Sequence, residues 1–230
     1  MTHQNTSLID DFVDAGMNEI AARIMVAALR LFADKGYAAT TVREIVRAAD
    51  VTNPMLYYYF DSKEGVFVAL METLFDSMAV AVEEITEQES TLRGQLREIA
   101  RAYFDTCLSQ PEKVYFIYSV LFGPRRSRPS FDVPDSHSTI DRLVANTIQR
   151  SIDDGDFQPH PGLDALYLTD RFMGLINNHL MGALGILELE ICDFEHTAFQ
   201  NVEDFLGVQA LESMLDFFFG GAGTYVDEEK

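Results

Sequence analysis

The residues best placed for recognition chemistry share one side of a short helix. Asn53, Pro54, Tyr57 and Tyr58 face outward from the segment opened by Thr52, while Leu56 and Phe60, four apart, turn inward. That outward side carries two tyrosines and no carboxylate. A second constellation is aromatic: Tyr103, Phe104, Tyr115, Phe116, Tyr118 and Phe122, followed far along the chain by Phe172, Met173, Asn177, His179 and Met181. Its functional reading is a ligand pocket, mostly apolar with a few polar groups. Its plain reading is core packing, and for any single residue that reading is the better one. Asn177, Asn178 and His179 fit a core least well, because a buried polar group must find a partner. A third set, Glu188, Cys192 and His196, is spaced by fours and would share a helix face able to hold zinc or another soft divalent ion. Glu190, Asp193 and Glu195 surround it, as at a solvated helix end, and no metal is expected.

The elements that must position the first set can be read from capping signals. Thr41 and Glu44 form a capping box that starts a helix running through Ile45, Val46, Ala48 and Ala49. Asp50 and Val51 break that run. Thr52 then caps a second short helix with Pro54 in its first turn, where a missing N–H costs nothing. Small residues before the turn allow a close crossing, the geometry of a helix-turn-helix. Asp61 and Glu64 are expected to form a second capping box. Lys63 sits in the first turn of the following helix, where a cation opposes the helix dipole and implies an anion nearby.

The run ALRLFADKGYAATTVREIVRAADVTNPMLYYYFDSKEGVFVAL, from Ala28 to Leu70, closely resembles the DNA-binding domain of the tetracycline-repressor (TetR) family of transcription regulators. The resemblance covers about a fifth of the chain, with its parts in order and at the family's spacing. It implies base or groove contacts at Thr52, Asn53, Pro54 and Tyr57, and phosphate contacts at Thr41, Tyr58 and Lys63. Arg43 reaches a phosphate or pairs with Glu44 or Asp50. The sequence departs from the family pattern, which favours a basic or small residue near Asn53, glycine near Pro54 and often histidine near Tyr58. The operator sequence is therefore left open.

Electrostatics are unusual for a DNA binder. Net charge is −20. Residues 1–84 carry 6 basic and 13 acidic side chains and residues 85–230 carry 11 and 24, so the excess of acid is −7 and −13. Thr40 to Lys63 is neutral, with Arg43, Arg47 and Lys63 against Glu44, Asp50 and Asp61. Nonspecific affinity comes mainly from neutralising phosphates and should be weak here. Specific contact would rest on hydroxyls, backbone amides at helix starts and a few cations. A salt-adapted host is another source of such acidity.

The 230 residues, 47% hydrophobic, suit one or two globular domains with a real core. Met1 to about Asn18 reads as a flexible acidic arm or a short extra helix. Helical periodicity starts at Glu19 and ends at Gly36, backing the helix-turn-helix with Leu31 and Phe32 under Ile45 and Leu56. The helix opened at Asp61 continues to about Glu84, longer than a small domain needs, and the resemblance makes it a lever to a regulatory domain. Helices follow over Leu92 to Leu108, from Pro111 to Gly123, and over Ile140 to Ile152, with an arginine- and proline-rich loop at 123–136. Gly162 to about Leu189 and Val202 to Phe219 close the chain. By resemblance these last two pair with their copies in a second subunit as a four-helix bundle, through Gly174, Asn178, Gly182 and Gly185 on one and Leu211, Leu215 and Phe218 on the other.

The expected fold is thus all-α: an acidic arm at 1–18, a helix-turn-helix domain at 19–70 and a ligand-binding and dimerisation domain at 71–230. No secretory pattern or apolar run of about 18 residues is seen, which reads as cytoplasmic with no membrane partner. Cys107 and Cys192 indicate neither a disulfide framework nor a zinc knuckle. No phosphate-cradling glycine loop, HExxH, GxSxG or CxxC occurs, so an enzyme is the least supported class and no cofactor is expected. The expected function is a ligand-responsive repressor that binds a palindromic operator as a homodimer, with an apolar or aromatic effector. The alternative is a ligand-binding or interaction module that keeps the fold and binds DNA weakly.

Overall fold

The computed structural model of the chain describes residues 8–123, 129, 135–189 and 201–225. In chain order these form α1 (Leu8–Asp14), α2 (Glu19–Ala39), α3 (Val42–Ala48), α4 (Asn53–Phe60), α5 (Lys63–Gln88), α6 (Leu92–Ser109), α7 (Pro111–Leu121), α8 (Asp135–Asp153), β1 (Phe157–Pro159), α9 (Ala165–Leu189), α10 (Val202–Phe205), α11 (Val208–Ala222) and β2 (Gly223–Tyr225). Among the described residues the fold is all-α apart from one antiparallel two-stranded ribbon, in which Phe157 faces Tyr225 and Pro159 faces Gly223. A Cβ at Gly223 would lie 2.1 Å from the Gln158 carbonyl oxygen, so this pairing needs glycine there. Three-residue strands carry too little alternation to be read from sequence.

Two compact units result: Met1–Ser77 with Gln110–Pro134, and Met78–Ser109 with Asp135–Lys230. This differs from a regulatory domain running unbroken over 71–230, because α7 groups with the N-terminal helices. The reason is aromatic packing. Phe32 of α2 stacks on Phe116 of α7 at 5.9 Å, and Phe67 of α5 meets both, at 6.1 and 5.5 Å. All three rings are buried.

The acidic arm is helical and packed from Leu8 onward. Leu8 and Phe12 are buried, and the Asp11 carboxylate accepts from Gln110 Nε2 at 2.6 Å and Lys113 Nζ at 2.8 Å. One apolar turn and one paired acid are enough to dock seven residues that look like an arm by composition. In α2 the helical path breaks at Gly36 (φ 81, ψ 160), where an L side chain would be strained, and a last turn continues to Ala39.

Among the described residues α5 is long and apolar enough by composition to cross a membrane, contrary to the expectation of no such run. Its Val66, Phe67, Leu70, Met71, Leu74 and Phe75 are buried in the chain itself. Burial on that scale is what makes a core helix apolar.

In the second unit α6, α8, α9 and α11 enclose the core. Phe172 of α9 meets Phe218 of α11 edge-on at 5.5 Å, and Phe157 of β1 meets Phe219 at 5.9 Å. Arg93 and Arg97 of α6 clamp α11 through Glu212, at 3.0 and 2.6 Å, and Arg93 also reaches Asp216 at 2.7 Å. The hydrogen bonds from Arg97 and Arg93 hold the Glu212 carboxyl below the usual carboxylate range. Burial pushes the Cys107 thiol up to about 11, as for a structural cysteine.

The expected last helix is two helices, because Gly207 is extended (φ −77, ψ 178) between α10 and α11. Three residues assigned to a subunit interface on α11 lie elsewhere. Leu211, Leu215 and Phe218 are buried in their own unit, so they are core. The exposed side of α11 carries Val208 and Phe217 instead, at 68% and 73% exposure. Gly182 is also taken internally, since a Cβ there would lie 2.8 Å from the Phe205 ring.

Candidate nucleic-acid interface

The helix-turn-helix is built from α3 and α4 and held by α2. The Thr41 capping box forms as expected: Glu44 N–H donates to Thr41 Oγ1 at 3.3 Å, and Thr41 N–H and Oγ1–H donate to Glu44 Oε2 at 2.8 and 2.7 Å. Lys35 of α2 pairs with the other oxygen of Glu44. Hydrogen bonds from Lys35 first, then Thr41, push the Glu44 carboxyl down to about 2. The Thr41 hydroxyl is therefore engaged within the chain at both its donor and one acceptor site.

The second helix starts differently. Thr52 stands at the N-cap of α4 with no side-chain capping bond, so the expected cap is not made and its hydroxyl stays exposed. Position N3 is Met55, which cannot complete a capping box. Leu56 is fully buried and Phe60 half-buried, while Thr52, Asn53, Pro54, Tyr57 and Tyr58 are exposed together. Of the two tyrosines Tyr58 is the more open, at 81% exposure against 49% for Tyr57. Tyr59 turns back, its hydroxyl donating to Asn18 Oδ1 at 3.1 Å.

The start of α5 is not capped by Asp61, which is left-handed (φ 59). Ser62 Oγ accepts from Gly65 N–H at 2.9 Å and does that work. Lys63 also departs from its expected role. Its ammonium donates to the Tyr37 and Thr40 carbonyls at 2.8 and 2.7 Å and lies 4.0 Å from the Tyr37 ring centroid. The anion implied by its position is the carbonyl end of α2, whose partial negative charge suits a cation. Burial lowers the Lys63 pKa and raises that of the Tyr37 hydroxyl, with Glu64 adding to the latter. Two of the three ammonium donors are thus spent on the fold.

Arg43 is exposed on α3, and the carboxylates it was set against have other partners: Glu44 takes Lys35, and Asp50 takes Arg23. Among the described residues no ion pair joins Arg43 to either.

The aromatic constellation is split between the units. Tyr115, Phe116, Tyr118 and Phe122 lie in the first, with Phe116 in its core and Phe122 58% exposed. Tyr103, Phe104, Phe172, Met173, Asn177 and His179 lie in the second, where Phe104 and Phe172 are buried and the other four half-buried. The His179 ring sits 5.6 Å from both Phe104 and Phe205, and its Nδ1 is 2.9 Å from the Leu175 carbonyl oxygen. A carbonyl only accepts, so Nδ1 carries a proton. Cys192, His196, Arg125, Arg126 and Arg128 and the side chain of Glu188 lie outside the described residues, so the weak metal candidate finds no structural account.

Residues 24–70 match the family model described as bacterial regulatory proteins, tetR family. Over 88 residues, 38% of this chain and 40% of that protein, the sequence is 31% identical to the HTH-type transcriptional activator FasR of Mycolicibacterium smegmatis. It is 25% identical over 158 residues, 68% of this chain and 78% of that one, to the HTH-type transcriptional repressor KstR2 of Mycobacterium tuberculosis. Residues 24–70 are thus similar to the DNA-binding domain of the TetR family. The solved structure of Bacillus subtilis FadR in complex with stearoyl-CoA shares the fold, with TM-score 0.66 and 17% identity, covering 86% of this chain and 97% of that one. The relatives named are HTH-type transcriptional regulators, one an activator and one a repressor.

Sequence reasoning missed three residues that hold α4 and the turn before it: Asn18, Arg23 and Tyr59. Asn18 was legible as a helix start, ahead of the run from Glu19. Arg23 gave no signal, because its partners are backbone carbonyls 26 and 27 residues away.

Proposed function

We propose that the chain is a sequence-specific, ligand-responsive repressor that binds a palindromic operator as a homodimer in the cytoplasm. The observation that carries this is the exposed, carboxylate-free face of α4, with Thr52, Asn53, Pro54, Tyr57 and Tyr58 presented together. On a chain of net charge −20 such a face can approach a polyanion and read it by hydroxyl, amide and ring contacts. Two copies of α4 would enter successive major grooves about one helical turn apart. Thr41, Arg43 and Lys63 would serve at the phosphates, with Arg43 the freest of the three.

A stripe on α9 supports pairing with a second copy. Tyr167, Asp170, Arg171, Gly174, Asn178 and Met181 are exposed at helical spacing, and open space surrounds Gly174 and Gly185. Glycines facing open space let a partner helix come close. On α11 the corresponding side is Gln209, Ser213 and Phe217.

The effector reading rests on Tyr103, Met173, Asn177 and His179, all half-buried in the second unit, with His179 beside the Phe104 and Phe205 rings. An apolar or aromatic ligand with a polar end fits them, and a long-chain acyl thioester, as bound by the FadR relative, belongs to that class. Ligand would tilt α5, move the two α4 helices out of register and release DNA; by linkage, DNA would weaken ligand binding by the same factor. A gel shift with the DNA upstream of the protein's own gene tests the reading. A sequence-specific shift at low salt is expected, and its absence with a folded dimer would overturn it.

A further inference from the structure

The turn between α3 and α4 contains a residue that its backbone does not suit. Asp50 adopts φ 53, in the left-handed region, where the Cβ of an L residue is crowded and glycine is the natural occupant. Helix-turn-helix turns often use glycine for this reason. Here an aspartate is held there by a side chain from another helix. Arg23 Nη2, on α2, donates to the Ala49 carbonyl at 2.6 Å and to the Asp50 carbonyl at 3.1 Å, and meets Asp50 Oδ2 at 3.4 Å. The Asp50 side chain is 99% exposed, so the ion pair is solvent-screened and the hold lies in the two carbonyl bonds. Those carbonyls stand at the end of α3, where a cation is favoured by the helix dipole. Five residues earlier Asn18 caps α2 through Ile20 N–H at 2.9 Å and accepts from the Tyr59 hydroxyl of α4. The first turns of α2 thus grip the turn through Arg23 and the recognition helix through Asn18.

We infer that Arg23 is a positioning residue for sequence reading, holding the strained Asp50 turn so that α4 is presented in a single orientation, with Tyr59–Asn18 as the second, weaker anchor. Both Asn18 and Arg23 precede the family-matched residues 24–70. Neither lies on the exposed face that meets DNA. Loss of Arg23 leaves α4 helical and exposed but lets its orientation spread, which costs complementarity to one base sequence more than attraction to phosphates.

The inference rests on the reading of the chain as a sequence-specific DNA binder, and the test separates the two. Full-length protein is used to select binding sites from random-sequence duplexes, and affinity is then measured for the selected site and for a scrambled duplex of equal length. If no consensus emerges, the sequence-specific reading fails and this inference with it. With a consensus in hand, loss of hydrogen bonds to a charged donor predicts that Arg23→Ala weakens the selected site about tenfold or more. Scrambled DNA should change less than about threefold, because its affinity comes from phosphate contacts. Arg23→Lys, which keeps a cation at the carbonyls, should retain part of the ratio. Asp50→Gly, which needs no holding at positive φ, should restore most of the ratio to Arg23→Ala while leaving the otherwise unaltered protein's ratio unchanged. Circular dichroism confirms that each variant is folded. If Arg23→Ala preserves the ratio within about twofold, or if Asp50→Gly restores nothing, the positioning role is overturned while the regulator reading stands. Should Arg23→Ala fail to fold, the ratio measured with Arg23→Lys and Arg23→Lys/Asp50→Gly decides the matter by the same criterion.

Discussion

The two helices of the helix-turn-helix begin with the same residue type and use it oppositely. At α3, Thr41 is closed into a capping box with Glu44, which is braced in turn by Lys35. At α4, Thr52 occupies the same position and makes no capping bond. The difference lies three residues on, where α3 has Glu44 and α4 has Met55. A cap that is satisfied internally contributes to stability; one left open keeps a hydroxyl and backbone donors for a partner outside the chain. On the function proposed above, the contrast separates a helix that supports from a helix that reads.

The largest test of that separation is Tyr57→Ala. Removing a half-exposed ring from the reading face should cost about 2–3 kcal/mol of specific binding, roughly a 30- to 150-fold weaker gel shift. Helicity and dimer mass should not change; full retained affinity would show that α4 reads DNA with another face. Next is Thr41→Ala, which breaks the closed cap and should remove about 1 kcal/mol of stability, a fall of about 2–4 °C in Tm by calorimetry. Thr52→Ala should do the reverse. Its Tm should move by less than the Thr41 variant's, because no folded-state cap is lost, while specific DNA binding weakens by about 1 kcal/mol, roughly fivefold. Equal Tm losses for the two threonines would break the comparison.

The smallest effect is in acid. Glu44 is pushed down to about 2 in the folded chain, below its ordinary value of 4.5. A carboxyl with a depressed folded pKa adds stability that is fully present above about pH 4.5 and is lost as pH falls toward 2. Glu44→Gln should therefore flatten part of the acid side of the Tm profile in that window and leave the neutral side parallel. An unchanged acid slope would show that Lys35 and Thr41 do not hold the carboxylate in solution.

Local signals carried much of this molecule. The Thr41–Glu44 spacing, the break at Asp50 and Val51, Pro54 in a first turn and Gly36 at a helix break are each decided by the residue and its immediate neighbours, so they could be read directly. The inward set of α4 also held, with Leu56 fully buried. What misled the reading was face and partner. Leu211, Leu215 and Phe218 mark an apolar helix face but not what covers it, and the cover is the chain's own second unit. Lys63 was legible as a cation needing a negative partner, yet nothing local named the Tyr37 and Thr40 carbonyls.

The sequence by itself determined the resemblance of its helix-turn-helix segment to the TetR family, the all-α class, the two helices of that segment and the side of α4 that faces out. Those follow from periodicities and caps that act within one or two turns of helix. Tertiary structure alone decided that α7 packs with the N-terminal helices, that Gly223 pairs with Pro159 in a ribbon, and that Arg23 holds a left-handed Asp50. Each of these joins groups far apart in sequence, and the carbonyls, ring faces and open spaces involved exist only once the chain has folded.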